Sequence, residues 1–322
     1  MGRDSMSKRH TILVAMACLA AGASPSPTWA HATAGGEELA PGEFRVRPLI
    51  TIEGHAGLEN NLEGQPRHYA LDGLFGAVFE WGLDNEGSFA IEAQLGPALV
   101  WGEAEHFYGR VHVDGHGDHH GEHHDGDHGG HHSDSHSDGS PYRRTDVKGY
   151  LQARYQPNDR VEVSLTWWPY YVTGSQGDDV AGLKNELGVQ AIWALGDGDV
   201  NFALGDGLES IVDGVFLSLE NRTGWESEGT YLGNYTDPWL GLGFNIDLLN
   251  ITLSAGPRFY SPGSYAGLPF RTDWGGEIEL EYPLANSVVV FAHWKPIYSS
   301  QGGEGWGVGW QHHIGTGISF SF

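Results

Sequence analysis

The residues with the clearest capacity for chemistry lie in one tract, "HVDGHGDHHGEHHDGDHGGHHSDSH", at positions 112–136. A histidine recurs at every fourth residue, and further histidines directly precede several of these. Neutral imidazole binds zinc, nickel, copper and cobalt, and carboxylates often complete such sites. The predicted metal ligands are His112, His116, His119, His120, His123, His124, His128, His131, His132, His136, Asp118, Glu122, Asp125 and Asp127.

The spacing of this tract suits a helix, but its composition does not. Histidines four residues apart would share one helical face, whereas the intervening Gly, Asp and Ser are poor helix formers. We therefore expect a disordered segment with many overlapping sites for a divalent ion. Zinc is the first expectation, with nickel, copper or cobalt as alternatives, and the lack of sulfur argues against a Cu(I)-selective site. The alternative origin is neutral expansion of a repeat in a tolerant loop.

The N-terminus has the features of a secretory signal peptide. Arg3, Lys8 and Arg9 precede an apolar run that is too short to span a membrane, and a small-residue cleavage site follows. We predict a signal peptide over 1–30, with residue 32 as the alternative end. The chain's single cysteine, Cys18, lies within it, so no disulfide framework is expected after cleavage. The net charge of −25 argues against a nucleic-acid partner.

The rest of the chain shows repeated period-2 alternation of apolar and polar residues, which predicts β-strands. Tight turns such as "DNEG" (84–87), "QPND" (156–159) and "LANS" (284–287) alternate with longer connections over 58–68, 103–144, 175–182, 223–234 and 299–308. This pattern predicts an all-β, antiparallel up-and-down barrel of about twelve strands over 43–322, with ten or fourteen as alternatives. Residues 31–42 would form a periplasmic segment before it. Segment 197–209 fits either a long turn or a further short strand.

Aromatic residues at the strand ends fall on the apolar face, as expected for the two girdles of a membrane barrel. The final segment, "GWQHHIGTGISFSF", is amphipathic and ends in Phe322. With the signal peptide and the strand pattern, it resembles bacterial outer-membrane β-barrel proteins as a class. That resemblance implies an outer-membrane location in a Gram-negative bacterium, contact with membrane lipid, and recognition of the last strand by the barrel-assembly machinery. It also makes 103–144 an extracellular loop.

The opposite strand faces would line the lumen, and they carry many charged residues. The candidate site residues there are Asp273, Glu277, Glu279, Glu281, His293 and His313. One interpretation is a narrow, water-filled, cation-tolerant passage. The other is a closed barrel whose charges form structural salt bridges, with Arg258 and Lys295 as partners for the acidic group.

These observations favour an outer-membrane barrel whose extracellular loop binds divalent metal, zinc first, and assists its passage or homeostasis. A general small-solute channel or structural barrel with an incidental loop is one alternative, and an envelope lipid-modifying enzyme is another. No H-E-x-x-H, G-x-S-x-G or P-loop motif occurs in the sequence, so no enzyme activity is expected. The sequence sets neither the direction of metal movement nor the oligomeric state.

Deletion of residues 112–136 tests the metal prediction. Calorimetric titration with Zn²⁺ should show several bound ions for the full chain and far fewer for the deletion variant. Binding should fade below about pH 6, because imidazoles protonate near a reference pKa of about 6.5. Equal zinc binding by the two proteins would contradict the prediction.

Overall fold

The computed structural model describes residues 39–59, 67–84, 87–102, 143–173, 182–202, 210–226, 229, 231–263, 270–301 and 308–322. All of the described residues belong to one compact unit, 32–322. The predicted signal peptide and the histidine tract lie outside the described residues.

Thirteen β-strands account for nearly all of the described chain. They are β1 (Phe44–Glu59), β2 (Arg67–Gly82), β3 (Ser88–Gly102), β4 (Arg143–Asn158), β5 (Val161–Val172), β6 (Gly182–Ala194), β7 (Asp199–Phe202), β8 (Ser210–Glu226), β9 (Tyr231–Ile246), β10 (Leu249–Pro262), β11 (Arg271–Ala285), β12 (Val288–Ser299) and β13 (Gly309–Ser321).

Twelve of these strands close into an antiparallel barrel. Sequential neighbours pair throughout, β6 pairs directly with β8, and β1 pairs with β13 to complete the circle. Among the described strands, β7 pairs with the first residues of β8 and is not part of the ring. The predicted twelve-stranded barrel is therefore confirmed, with one additional short strand. In the part of the chain that the structure describes, no helix is long and apolar enough to cross a membrane.

The alternation in the sequence corresponds to the two faces of the barrel wall. Large apolar side chains such as Phe75, Leu95 and Leu240 point outward and are more than half exposed, at 55%, 60% and 57%. The intervening residues point inward and are mostly buried and polar. Outward aromatic pairs lie near both rims, with ring centroids 5.0 Å apart for Phe44–Trp81 and 5.2 Å for Tyr298–Trp310. This distribution is what a lipid-facing barrel requires.

Several strands extend further than the sequence pattern indicated. β8 runs to Glu226 and β9 starts at Tyr231, inside the predicted loop 223–234, and β4 starts at Arg143, inside the predicted loop 103–144. Between β8 and β9 the outward positions 221, 223, 234 and 236, around the start of this extension, are polar. Asn234 donates to the hydroxyl of Thr223 at 2.7 Å, and Asn221 donates to that of Thr236 at 2.8 Å. The apolar alternation thus ends before the hydrogen-bonded ladder does.

Part of segment 197–209, which the sequence left unassigned, is now placed within a hairpin that folds inward at the short-turn end. β7 pairs with residues 210–213 of β8, from Asp199↔Asp213 to Phe202↔Ser210. β8 joins the barrel wall from Gly214 onward. Gly214 has φ = 84°, a left-handed conformation that favours glycine. This glycine allows the chain to bend from the hairpin into the wall.

The hairpin β7–β8 contacts the side of the barrel that lies across the lumen from β8. Phe202 packs against Leu49, Val78 and Ala90 on β1, β2 and β3. Ile211 packs against Val289 and Phe291 on β12. The hairpin therefore crosses the short-turn end of the barrel.

Paired cysteines test this crossing, because the chain has no cysteine beyond Cys18. Ile211→Cys with Val289→Cys should be joined by a short thiol-to-thiol cross-linker, since the two native side chains share one buried cluster. Ile211→Cys with Val290→Cys is the matched control, because Val290 is one residue further along β12 and points to the opposite face. Equal cross-linking of both pairs, measured by mass spectrometry, would contradict the inward placement.

Candidate functional site

The lumen is the candidate site, because it gathers most of the described charged residues. The predicted site residues Asp273, Glu277, Glu279, Glu281, His293 and His313 all lie on inward faces of β11, β12 and β13. The predicted tract ligands from His112 to His136 lie outside the described residues.

Near the hairpin, buried ion pairs brace the wall. Arg47 and Arg45 both contact Glu80, at 2.7 Å and 3.0 Å. Arg154 contacts Glu92 at 3.0 Å, and both side chains are at most 1% exposed. The Arg154 guanidinium also lies 4.6 Å from the ring centroid of Phe202, so this pair connects the wall to the hairpin.

In the middle of the lumen, a charge network joins β6 and β8 to β12. Arg222 contacts Glu186 at 3.0 Å and also contacts Glu220. Lys295 reaches Glu220 at 3.8 Å and Glu277 at 3.2 Å. The sequence reading missed Glu220 and Arg222, although both continue the inward alternation of β8. The network confirms Lys295 as a partner of the acidic strand.

The suggested pairing of Arg258 with the acidic residues of β11 is not found in the structure. Its guanidinium contacts Asp237 of β9 at 2.6 Å, because β10 lies between β9 and β11 and the side chain turns toward β9. The cation also lies 3.7 Å from the ring centroid of Tyr235. Arg222 similarly lies over Trp168, at 4.2 Å. Aromatic rings and carboxylates thus hold these cations against the wall.

The carboxylates of β11 differ in their partners. Arg271 on the same strand contacts Asp273 at 2.7 Å, and Lys295 contacts Glu277. Glu279 lines a lumen cavity. Glu281 is 6% exposed, and its Oε2 has no hydrogen-bond partner among the described residues. Asp273 and Glu277 therefore each have a cationic partner on β11 or β12.

A small cavity of about 30 Å³ lies beside this acidic strand. Its lining includes four carboxylate side chains and several hydroxyl groups from β8 to β11, among them Glu220, Asp237, Glu277, Glu279, Ser218 and Ser254. Ser210 and Val212 of the inward hairpin also contribute to the lining. The cavity is thus bounded by the acidic wall and by the hairpin.

Three histidines meet on another part of the wall. The ring centroid of His313 lies 5.3 Å from that of His55 and 5.2 Å from that of His293. His55 Nε2 lies 3.2 Å from Asp72 Oδ2, and His293 Nε2 lies 3.7 Å from Glu53 Oε1. The sequence reading missed His55, although it falls in phase with Glu53 on β1.

The lumen residues that the structure describes do not form a ready-made metal site. Among the described residues, no group of three or more His, Cys, Asp or Glu side chains is already arranged to hold an ion. Any ion bound at the three histidines would therefore require their rings to turn.

Part of the chain matches a known family model, and several solved structures are distantly similar to the chain. Residues 200–322 match a family model described as a cyanophage outer membrane protein like beta barrel domain. Similar solved structures include the COG4313 outer membrane channel from Pseudomonas putida F1, with 10% identity, a TM-score of 0.47, and coverage of 88% of this chain and 97% of that one. The translocator domain of the autotransporter NalP from Neisseria meningitidis has 13% identity and a TM-score of 0.45, with 85% and 88% coverage.

No curated protein sequence matches the chain. The closed barrel, its apolar exterior and the matching domain model together make this chain an outer-membrane β-barrel of a Gram-negative bacterium. This agrees with the resemblance noted in the sequence.

The Arg154–Glu92 pair predicts a large stability effect. Arg154→Met should lower the free energy of unfolding by about 3–5 kcal/mol, because it leaves Glu92 buried without this cation. Arg45→Met is the control, with an expected loss below about 1 kcal/mol, because Arg45 is partly exposed and Arg47 still contacts Glu80. Urea unfolding in lipid vesicles measures both changes, and equal losses would contradict the assignment.

Proposed function

We propose that this protein is a cation-preferring outer-membrane channel that handles divalent transition metal, zinc first. The observation that supports it best is the acidic face of β11 beside the lumen cavity. Glu277 and Glu279 line that cavity, and Glu281 follows on the same face. Carboxylates that face a wet passage attract cations and repel anions.

The distribution of the lumen cations supports this preference. Arg222 and Arg258 are held by carboxylates and lie over aromatic rings, so much of their charge is neutralised at the wall. A permeating ion would also meet the carboxylates of β11 that line the cavity, of which Glu277 is paired with Lys295. The resulting potential favours entry of small cations.

The histidine tract supplies the metal part of the proposal. β3 ends at Gly102 and β4 begins at Arg143, so the tract belongs to the connection between these strands at the long-loop end. Its imidazoles would raise the local concentration of zinc, nickel, copper or cobalt at the mouth of the barrel. Weak, overlapping sites would allow the captured ion to be released into the lumen.

A second candidate function is a structural or general small-solute barrel. The paired charges near the hairpin favour it, because they brace the wall without requiring a permeating ion.

A lipid-modifying enzyme has less support. The outward-facing His312 stacks on Trp294 and Trp310, and Trp294 Nε1 donates to its Nδ1 at 3.3 Å. These contacts anchor the ring among aromatics.

Ion selectivity in planar bilayers tests the channel proposal. We expect a cation-to-anion permeability ratio above one in a KCl gradient. Glu279→Gln should lower the ratio about threefold, because it removes one charge from the cavity wall. Glu43→Gln, which removes the same charge from the exposed segment before β1, should leave the ratio unchanged.

Addition of Zn²⁺ to the long-loop side separates the two candidate functions. A metal-handling channel should show a zinc-dependent change of conductance that the 112–136 deletion abolishes. Anion preference, or a ratio that Glu279→Gln does not change, would overturn the channel proposal. Conductance that ignores zinc would favour the general small-solute or structural barrel.

A further inference from the structure

The three lumen histidines lie in one place because of the way the barrel closes. His55 of β1 pairs with Gly315 of β13, and Gly315 in turn pairs with His293 of β12. His313 lies two residues along β13 from Gly315, on the same face. The closure of the barrel therefore brings together residues that are more than two hundred positions apart in the chain.

We propose that His55, His293 and His313 form a binding site for one divalent transition-metal ion inside the lumen. This site rests on the proposed metal-handling function and names a place for the ion within the barrel. The tract is a separate binding element in the connection between β3 and β4.

The separation of the three rings fits a shared ion. Zinc binds imidazole nitrogen at about 2.0–2.1 Å, which places the ring centroids of two tetrahedral ligands about 5 Å apart. The observed separations through His313 are 5.3 Å and 5.2 Å. Rotation of the side chains would therefore let His313 share an ion with His55 and with His293. His293 and His313 must turn, because their rings are now stacked, with an interplanar angle of 8°.

Two carboxylates are placed to support these rings. Asp72 lies 3.2 Å from Nε2 of His55, and Glu53 lies 3.7 Å from Nε2 of His293. Asp72 is within hydrogen-bond distance of His55 and can fix its tautomer, so that the other nitrogen of His55 can serve as a metal ligand. Glu53 is beyond hydrogen-bond distance of His293 and acts on it through its charge. Glu53 and Asp72 are themselves cross-strand neighbours. Their negative charge also offsets the charge of a bound cation.

The nearby ammonium groups are held by carboxylates. Lys148 contacts Asp72 at 2.7 Å, and Lys295, the cross-strand neighbour of His313, contacts Glu277 at 3.2 Å. Their repulsion of a metal ion is therefore reduced. An all-nitrogen donor set with carboxylates behind it favours zinc, nickel, cobalt or copper(II) over magnesium or calcium.

Gly315 creates the space for this arrangement. A methyl group added at Gly315 would overlap the imidazole of His293 and the carboxylate of Glu53. On the far side of His293, its cross-strand neighbour on β11 is Glu279, which lines the cavity. An ion leaving the histidines would therefore meet the acidic strand next.

Cobalt binding to the barrel that lacks residues 112–136 tests the site. Co²⁺ should give a visible absorption spectrum that saturates at one equivalent and is displaced by Zn²⁺. His293→Ala should weaken binding by at least about tenfold. His312→Ala is the matched control on β13, because its ring faces outward between Trp294 and Trp310, and it should bind like the parent.

Gly315→Ala keeps all three histidines and should also weaken cobalt binding, because the added methyl group displaces His293 and Glu53. Near-ultraviolet circular dichroism checks that each variant folds. No cobalt binding by the folded parent, or equal binding by the parent and His293→Ala, would overturn the site. Cobalt binding together with anion-selective conductance would retain the site and reject the channel proposal.

Discussion

The pairing of β1 with β13 is the contact on which the remaining structure depends. It extends from Leu49↔Ser321 to Glu59↔Gln311 and removes the two free edges that an open sheet would present to lipid. Backbone groups without partners cost several kcal/mol each in a bilayer, so an open sheet would not persist there. Closure also fixes the register around the ring, and a slip of one residue would exchange the lipid-facing and lumen-facing side chains.

This constraint explains the polar interior. A twelve-stranded barrel is too narrow to leave all of its inward charges fully hydrated, so the charges need partners. The ion pairs of Glu80, Glu92 and Asp237 meet that need within the wall. The hairpin β7–β8 adds apolar contacts at the short-turn end, through Phe202 and Ile211. The remaining space lies between the hairpin and the acidic strand, where the cavity is found.

The strand number and the inward faces could be predicted because both follow from alternation along single strands. The partners of the charges could not, because they depend on how strands are offset from one another, as the turn of Arg258 toward β9 shows. Segment 197–209 was left open between a long turn and a short strand for a similar reason. Its short strand carries too few residues to show a period, and only its tertiary contacts define its place. His55 joins His313 only through closure of the ring.

The high glycine content is explained by the same interior. Inward-facing glycines lie beneath large rings of adjacent strands, so that Trp168 lies against Gly188 and Phe291 lies against Gly317. Each glycine removes a side chain that would overlap the ring, and the ring can then lie against the wall instead of projecting into the lumen. Gly315 likewise leaves room for the imidazole of His293 and the carboxylate of Glu53. At Gly188 and Gly317, an inward-facing glycine keeps a large ring against the wall and out of the passage. At Gly315, an inward-facing glycine instead positions the groups that we propose to bind a metal ion.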